Sequence, residues 1–362
     1  MHAIPTWQIS FKEELLRTML GDSAALATWE KPLQSDSLNY RRKARLRARW
    51  DPKSGTEFIG FKNRFGRYIA DVERCEVLAP PFDGLIIPLR SLITSLKARA
   101  AIPQLELAVG DNGAALILRH LQPLDPSDEQ KLASFARDAG IRLFLQAGGP
   151  DTIMPLEPTS SEPLTYSLPR FNLDFRFEPL DFIQAHRSLN EILVATAIDW
   201  MAPRTDETIL DLFSGLGNFS LPLAQRAATI IGVEGSEKMT QRASENAALN
   251  GITNAHFFSA DLEKDNTSAP WALRTYDGIL LDPPRSGASA IIPQLLKSTP
   301  SRIVYVSCNP TTFARDAAIL RNSGYPLTRV CVADMFPYTE HVEAIGLFEL
   351  RPLESSPKPY QE

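Results

Sequence analysis

Arg302-Ile303-Val304-Tyr305-Val306-Ser307-Cys308, followed at once by Asn309-Pro310-Thr311, is the stretch on which the fold turns. Its apolar and β-branched run predicts a strand buried on both faces, and Asn309-Pro310 open a helical pattern that continues through Leu320. A doubly buried strand passing straight into a helix is the unit of a parallel α/β sheet. Cys308 stands at the strand's carboxyl end, where open α/β sheets hold their ligands, and at the helix's amino end, whose partial positive charge is expected to lower a thiol from about 8.5 toward neutrality. The residue is a candidate nucleophile; as a lone cysteine it equally fits a small buried hydrophobe.

Working outward, the same unit repeats upstream. Strands are expected over residues 208–213, 229–234, 255–258 and 276–282, after a helix over 188–201. These elements predict an α/β, Rossmann-like doubly wound parallel sheet from about residue 181 to 353, with residues 354–362 a disordered tail. Before residue 180 the texture differs. A helix over 9–20 stopped by Gly21, a hairpin through Asp111-Asn112-Gly113, a helix capped by Asp125-Pro126 and ended by Gly140, and a strand over 141–146 predict an α+β domain. Residues 147–163, rich in Gly, Pro, Ser and Thr, read as loop.

In the sheet half, Leu210-Asp211-Leu212-Phe213-Ser214-Gly215-Leu216-Gly217-Asn218-Phe219 sets two glycines just past the first strand, so that backbone can approach a ligand. Gly232-Val233-Glu234 then places a carboxylate where a ribose diol is usually bonded. The dinucleotide fingerprint would need a third glycine, which Phe219-Ser220 does not supply. Glu234, Asp261 and Asp282 on successive strand ends suit a cationic, adenosine-bearing ligand better than a pyrophosphate, because carboxylates repel phosphate. The sulfonium of S-adenosylmethionine fits. Asp282-Pro283-Pro284-Arg285 adds two prolines that fix the exit of the chain beside that aspartate.

Composition bounds the rest. With 44% apolar and 22% charged residues the 362-residue chain is ordinary for a globular protein, and its formal charge of −5 argues against generic polyanion binding. Charge is reversed locally. Arg41, Arg42, Lys43, Arg45, Arg47 and Arg49 precede Lys62, Arg64 and Arg67, with Phe58, Phe61, Phe65 and Tyr68 interleaved. Lys43, Arg45, Arg47 and Arg49 fall on one face of a strand whose other face carries Ala44, Leu46, Ala48 and Trp50. A single-sign outer face fits contact with nucleic-acid phosphates; it also fits a solvated edge protected from aggregation. Three scattered cysteines form no disulfide framework and no CxxC nest, no apolar run approaches the roughly 18 residues of a membrane span, and a cytoplasmic location is expected.

Taken together, Phe182-Ile183-Gln184, residues 210–219, Gly232-Val233-Glu234, Asp282-Pro283-Pro284-Arg285, Ser307-Cys308-Asn309-Pro310, Asp334-Met335-Phe336-Pro337 and His341-Val342-Glu343 resemble, in order, the motifs of the RNA uracil-5-methyltransferase family. Residues 40–49 and 72–80 most resemble its bacterial 23S ribosomal RNA branch. The resemblance implies a class I, S-adenosylmethionine-dependent methyltransferase domain behind an RNA-binding central domain. It implies that Cys308 adds to uracil C6, that Glu343 removes the C5 proton, and that Asp282 serves the reaction. It assigns Gln184, Phe213, Gly215, Gly217, Asn218, Glu234, Asp261 and Asp282 to the methyl donor and Phe182 to the target base.

The departures matter as well. Branch members carry a β-barrel and then three clustered cysteines, which with a later fourth hold a [4Fe–4S] cluster; here the chain begins Met1-His2-Ala3, and only Cys75 resembles a ligand. One thiolate cannot hold such a cluster, so none is expected on this chain. His186 stands where the family usually has Asn, and Ser214 where Cys is common. The same reaction on transfer RNA, an impaired RNA or S-adenosylmethionine binder, and an amino-methyltransferase of the same fold are the competing readings; the last needs no thiol. The protein is expected to act on RNA as a monomer, away from membranes.

Overall fold

The computed structural model describes residues 5–62, 69–70, 72–158 and 162–351. Among the described residues two compact units are present: one contains residues 5–35, Pro169–Leu173 and 189–351, the other residues of Asp36–Leu168 and Asp174–Ser188.

The chain starts in the first unit with α1 (Pro5–Leu20) and the two-residue strand β1 (Thr28–Trp29). It then builds the second unit: β2 (Lys43–Asp51), β3 (Thr56–Gly60), α2 (Ile86–Ser95), β4 (Gln104–Gly110), β5 (Gly113–Arg119), α3 (Pro126–Ala139), β6 (Ile141–Gln146) and β7 (Ile153–Pro155). These strands form a sheet in the order β3-β2-β4-β5-β6-β7. Ala44, Leu46 and Ala48 of β2 pack with Leu89 and Ile93 of α2 and Leu132 of α3. The cap expected for α3 is present: the Asp125 carboxylate accepts the Ser127 N–H at 2.8 Å, and Gly140 closes the helix at φ 62°. β7 lies inside the expected loop over 147–163, pairing with β6 through Met154 and Leu145. A further pair, β8 (Leu164–Leu168) and β9 (Leu173–Phe177), precedes α4 (Arg187–Met201).

From α4 onward come β10 (Thr208–Leu212), α5 (Ser220–Ala224), β11 (Thr229–Glu234), α6 (Glu237–Leu249), β12 (Ala255–Ser259), β13 (Gly278–Leu281), α7 (Ile292–Leu295), β14 (Arg302–Ser307), α8 (Pro310–Asn322), β15 (Leu327–Ala333) and β16 (Glu343–Glu349). Their sheet runs β1-β15-β16-β14-β13-β10-β11-β12 and is parallel except for β16. The order confirms the doubly wound reading. After β10 the chain steps to β11 and β12, then returns to β13 on the other flank of β10, so the switch point lies between β10 and β13.

The expected boundary between a domain over 1–180 and one over 181–353 needs correction. Residues 5–35 belong to the parallel-sheet unit, because β1 pairs with β15 and because Ile9, Leu16 and Leu20 of α1 enter the core that holds Ile303, Tyr305 and Val330. The other boundary moves too: residues 181–188 group with the second unit. The expected tail over 354–362 lies outside the described residues.

Candidate active site

Register lines up the ends of the central strands. Leu212 pairs with Leu281 and with Val233, Leu281 with Tyr305, and Ser307 with Ala344 of the antiparallel β16. Phe213, Glu234, Asp282 and Cys308 therefore leave one edge of the sheet, and Glu343 enters at that edge. Adjacent strands lie about 4.8 Å apart. Cys308 thus has Asp282 on one neighbouring strand end and Glu343 on the other.

This placement overturns one expectation. The Cys308 thiol is pushed up to about 11 rather than down toward neutrality: burial acts first, then the charges of Glu343 and Asp282, with Arg285 opposing them. A backbone hydrogen bond at Cys308 also acts to lower it, and Asn309 caps α8, its Oδ1 accepting the Thr311 N–H at 3.1 Å. Glu343, only 6% exposed, is pushed up to about 8, by burial first and Asp282 second, against Lys12 and Arg285.

The loop after Asp282 is strapped to α8. The Arg285 carbonyl accepts from Asn309 Nδ2 (3.0 Å) and Thr312 Oγ1 (3.2 Å), and the Ser286 carbonyl from Arg315 (2.8 Å). Asp316, fully buried, accepts from the Ala288 N–H and the Tyr305 hydroxyl, both at 2.7 Å. Gly287, at φ 78°, lies so close to Asp316 that a Cβ there would sit 2.6 Å from its Oδ2. The prolines of the motif fix the chain's direction, and this strap fixes its position. The Asp282 N–H also donates to the Leu212 carbonyl at 3.3 Å, across the switch point.

On the β10 side, Phe213 adopts φ 62°, a left-handed conformation costly for a bulky residue. Gly215 and Gly217 follow at φ 55° and 94°. The turn aims the Gly215 N–H at Glu234, whose oxygens accept from it and from the Ser236 N–H just past β11, each at 3.1 Å. Beneath it Asp211 is fully buried and pushed up to about 7, by burial foremost, with Ser220 opposing and the charges of Asp282 and Glu234 adding to the rise. Its Oδ1 and the Ser214 hydroxyl are buried without a hydrogen-bond partner. Crowded carboxylates with unsatisfied buried oxygens fit a cationic, hydroxyl-bearing ligand such as S-adenosylmethionine, whose charge would offset their repulsion.

Two residues expected at the donor have their polar groups engaged within the chain. Asn218 exchanges amide hydrogen bonds with Asn190 of α4, at 3.0 and 2.9 Å. Asp261, exposed beyond the end of β12, accepts from the Glu263 N–H at 3.1 Å and pairs with Lys264 at 3.0 Å. Asn190, Asp211, Asp316 and Lys12 were not foreseen. Asp211 stands within the quoted motif; the other three are polar residues on helices, with no local pattern to distinguish them from surface positions.

In the second unit, Phe182 is 68% exposed, and the Gln184 carbonyl accepts from Arg42 Nε at 2.9 Å. His186 is explained there: its ring stacks on Tyr40, 4.6 Å between centroids, and its Nε2 bonds the Asp36 carbonyl at 2.8 Å. The basic face divides. Arg45, Arg47, Arg49 and Lys62 are exposed, as expected for phosphate contact, and Arg41 is half-buried over the Phe61 ring. Arg42 and Lys43 are corrected. Arg42 is buried against Tyr166, and burial lowers its guanidinium to about 10; the Lys43 ammonium donates to the Pro179 carbonyl and is lowered by burial to about 8. Arg64 and Arg67 lie outside the described residues. Cys75 is half-buried against the core of its unit.

Among the described residues no helix is long and apolar enough to cross a membrane. Comparison with known proteins gives the family. Residues 166–351 match the model of the tRNA (uracil-5-)-methyltransferase family. A 23S rRNA (uracil(1939)-C(5))-methyltransferase of Hahella chejuensis is 44% identical over 95% of this chain and 78% of its own length, and one of Psychrobacter arcticus is 43% identical over 96% and 72%. The crystal structure of Pyrococcus abyssi tRNA (uracil-54, C5)-methyltransferase in complex with S-adenosyl-L-homocysteine superposes with a TM-score of 0.74 at 23% identity, over 96% of this chain and 84% of that one; at that identity it supports the fold. With a cysteine set between two carboxylates on the strand ends that these motifs predict, and with relatives of this identity along nearly its whole length, the chain belongs to the RNA uracil-5-methyltransferase family.

Proposed function

We propose that this protein methylates C5 of a uridine in 23S ribosomal RNA, with S-adenosylmethionine as methyl donor and Cys308 as covalent nucleophile. The observation that carries the reading is Cys308 at a parallel strand end, flanked through the register by Asp282 and Glu343. The relatives are named for uracil 1939 of 23S rRNA, and the same nucleotide is proposed here.

S-adenosylmethionine supplies an electrophilic methyl group on a cationic sulfur. Uracil C5 is too weak a nucleophile to take it unaided. Addition of the Cys308 sulfur to C6 moves the ring's electron pair toward C5, which bonds the methyl as S-adenosylhomocysteine leaves. Glu343 then removes the C5 proton; the released pair restores the C5–C6 double bond and expels the Cys308 thiolate. Pairing of Asp282 with the cationic donor would remove one of the charges that, behind burial and Glu343, hold the Cys308 thiol up, and the thiol gives its proton to solvent as the sulfur adds to C6. Glu343, raised to about 8, is suited to take and release a proton near neutral pH. The exposed Arg45, Arg47, Arg49 and Lys62 hold RNA phosphates, and Phe182 contacts the displaced base. The same reading has the protein act as a monomer in the cytoplasm.

The test is incubation with tritium-methyl S-adenosylmethionine and, separately, undermodified 23S rRNA and unmodified transfer RNA, followed by nucleoside analysis. Labelled 5-methyluridine is expected from the ribosomal RNA. Label confined to transfer RNA would replace the substrate, and label in any other nucleoside would overturn the reaction.

A further inference from the structure

We propose that Lys12 of α1 is a positioning residue of the methyl-transfer site, clamping the turn that leads into Glu343 and setting a fixed positive charge behind that carboxylate. The inference rests on Glu343 as the C5 base.

Lys12 is 1% exposed, among the most deeply buried side chains of the molecule. A lysine is almost never so placed unless it is paired. Its Nζ donates to Asp334 Oδ1 at 2.7 Å and to the Phe336 carbonyl at 2.9 Å. Asp334 directly follows β15, whose last residue, Ala333, pairs with Glu343. One ammonium therefore ties both ends of the Asp334–Phe336 turn to α1, beside the first residue of β16. The Gln8 side chain, one helical turn earlier, accepts the Tyr338 N–H at 2.9 Å and holds the same segment again.

A purely structural anchor at this helix position would be served by an apolar residue, since Ile9, Leu16 and Leu20 flank Lys12 on the buried stripe of α1. The charge has another use. The groups acting on Glu343 are Asp282 and burial, which favour its neutral form, and Lys12 and Arg285, which favour the carboxylate. Asp334 lies just past the end of the neighbouring β15, the Cys308 thiol just past the end of β14, and His341 contacts Arg285 at 3.5 Å. Of the two cations, Arg285 is exposed on a loop and Lys12 is locked in the core. Lys12 is the one whose contribution does not depend on loop position or salt.

The experiment measures release of the Cys308–RNA adduct in single turnover as a function of pH, using the full chain with S-adenosylmethionine and 23S rRNA, for the wild type, K12M, K12R, D334N and E343Q. K12M is expected to bind donor and form the adduct, but with the acidic limb of release moved up by about one pH unit, and so about tenfold slower on that limb. K12R, keeping the charge, is expected to restore most of the shift. D334N removes the anion that opposes Lys12 and moves the limb down; it tests the idea if K12M does not fold. A K12M limb at the wild-type pH, or a D334N limb that stays or rises, overturns the proposal. E343Q separates the two readings: if it releases product normally, Glu343 is not the base and the failure belongs to that assignment.

Discussion

The molecule carries two rows of like charge. On β2 of the second unit Arg45, Arg47 and Arg49 stand in solvent, Arg45 matched by Glu106 at 3.0 Å and Arg49 over the Phe58 ring. Along the edge of the parallel sheet, Asp211, Glu234, Asp282 and Glu343 are gathered with few opposing cations, and two of them are driven well above the ordinary carboxylate range. Exposed like charges cost little because water and salt screen them; buried ones cost much unless something cationic arrives. Under the proposed function the basic row would be a surface that adds affinity for RNA, and the acidic row a site that a cationic ligand completes.

The sharpest way to break this comparison is at the acidic edge. Cys308→Ala is expected to lower methyl transfer by on the order of a millionfold, the scale of losing a covalent nucleophile. Binding of S-adenosylmethionine, measured by calorimetry, should persist; comparable methylation by the variant would remove Cys308 from the mechanism. At the basic row the effect is smaller and graded. Replacing Arg45, Arg47 and Arg49 together by Ala should weaken RNA binding and make the slope of log affinity against log salt shallower by about two, with turnover at saturating RNA little changed. An unchanged slope would return that face to the role of a protected edge.

The smallest effect concerns stability. Glu343 and Asp211 have folded values of about 8 and about 7, above their ordinary 4.5 and 3.8, so the native chain keeps protons that the unfolded chain releases. Stability should therefore fall as pH rises through the interval from about 4 to about 8, and the loss is complete above the folded values. Thermal melts across that range, with and without S-adenosylmethionine, should show the donor's stabilisation growing toward higher pH; a flat difference would mean that these carboxylates do not face the ligand.

Much of the site was legible before any coordinates. Strand ends carry chemistry in α/β sheets, so Cys308, Asp282 and Glu234 could be placed from apolar runs and the residues that end them. The register then put Glu343 beside Cys308, which the motif alone could not do because β16 runs antiparallel. Two errors share one cause. The thiol shifts opposite to the expected direction, and Arg42 and Lys43, expected at RNA phosphates, are engaged within the chain, because one-dimensional pattern reports neighbours along the chain, whereas ionisation and burial depend on neighbours across it.

By itself, then, the sequence determined the doubly wound half, the basic outer face of β2 and the place of Cys308 at a strand's carboxyl end, since strand period, caps and turn residues are local properties. The tertiary structure alone decided that residues 5–35 join the parallel-sheet unit, that Asp316 pins the Asp282 loop and that Lys12 reaches Asp334, 322 positions away. Such contacts join residues with no shared period or motif, and they form only when burial of the surrounding apolar surface outweighs the cost of closing the long loops between them.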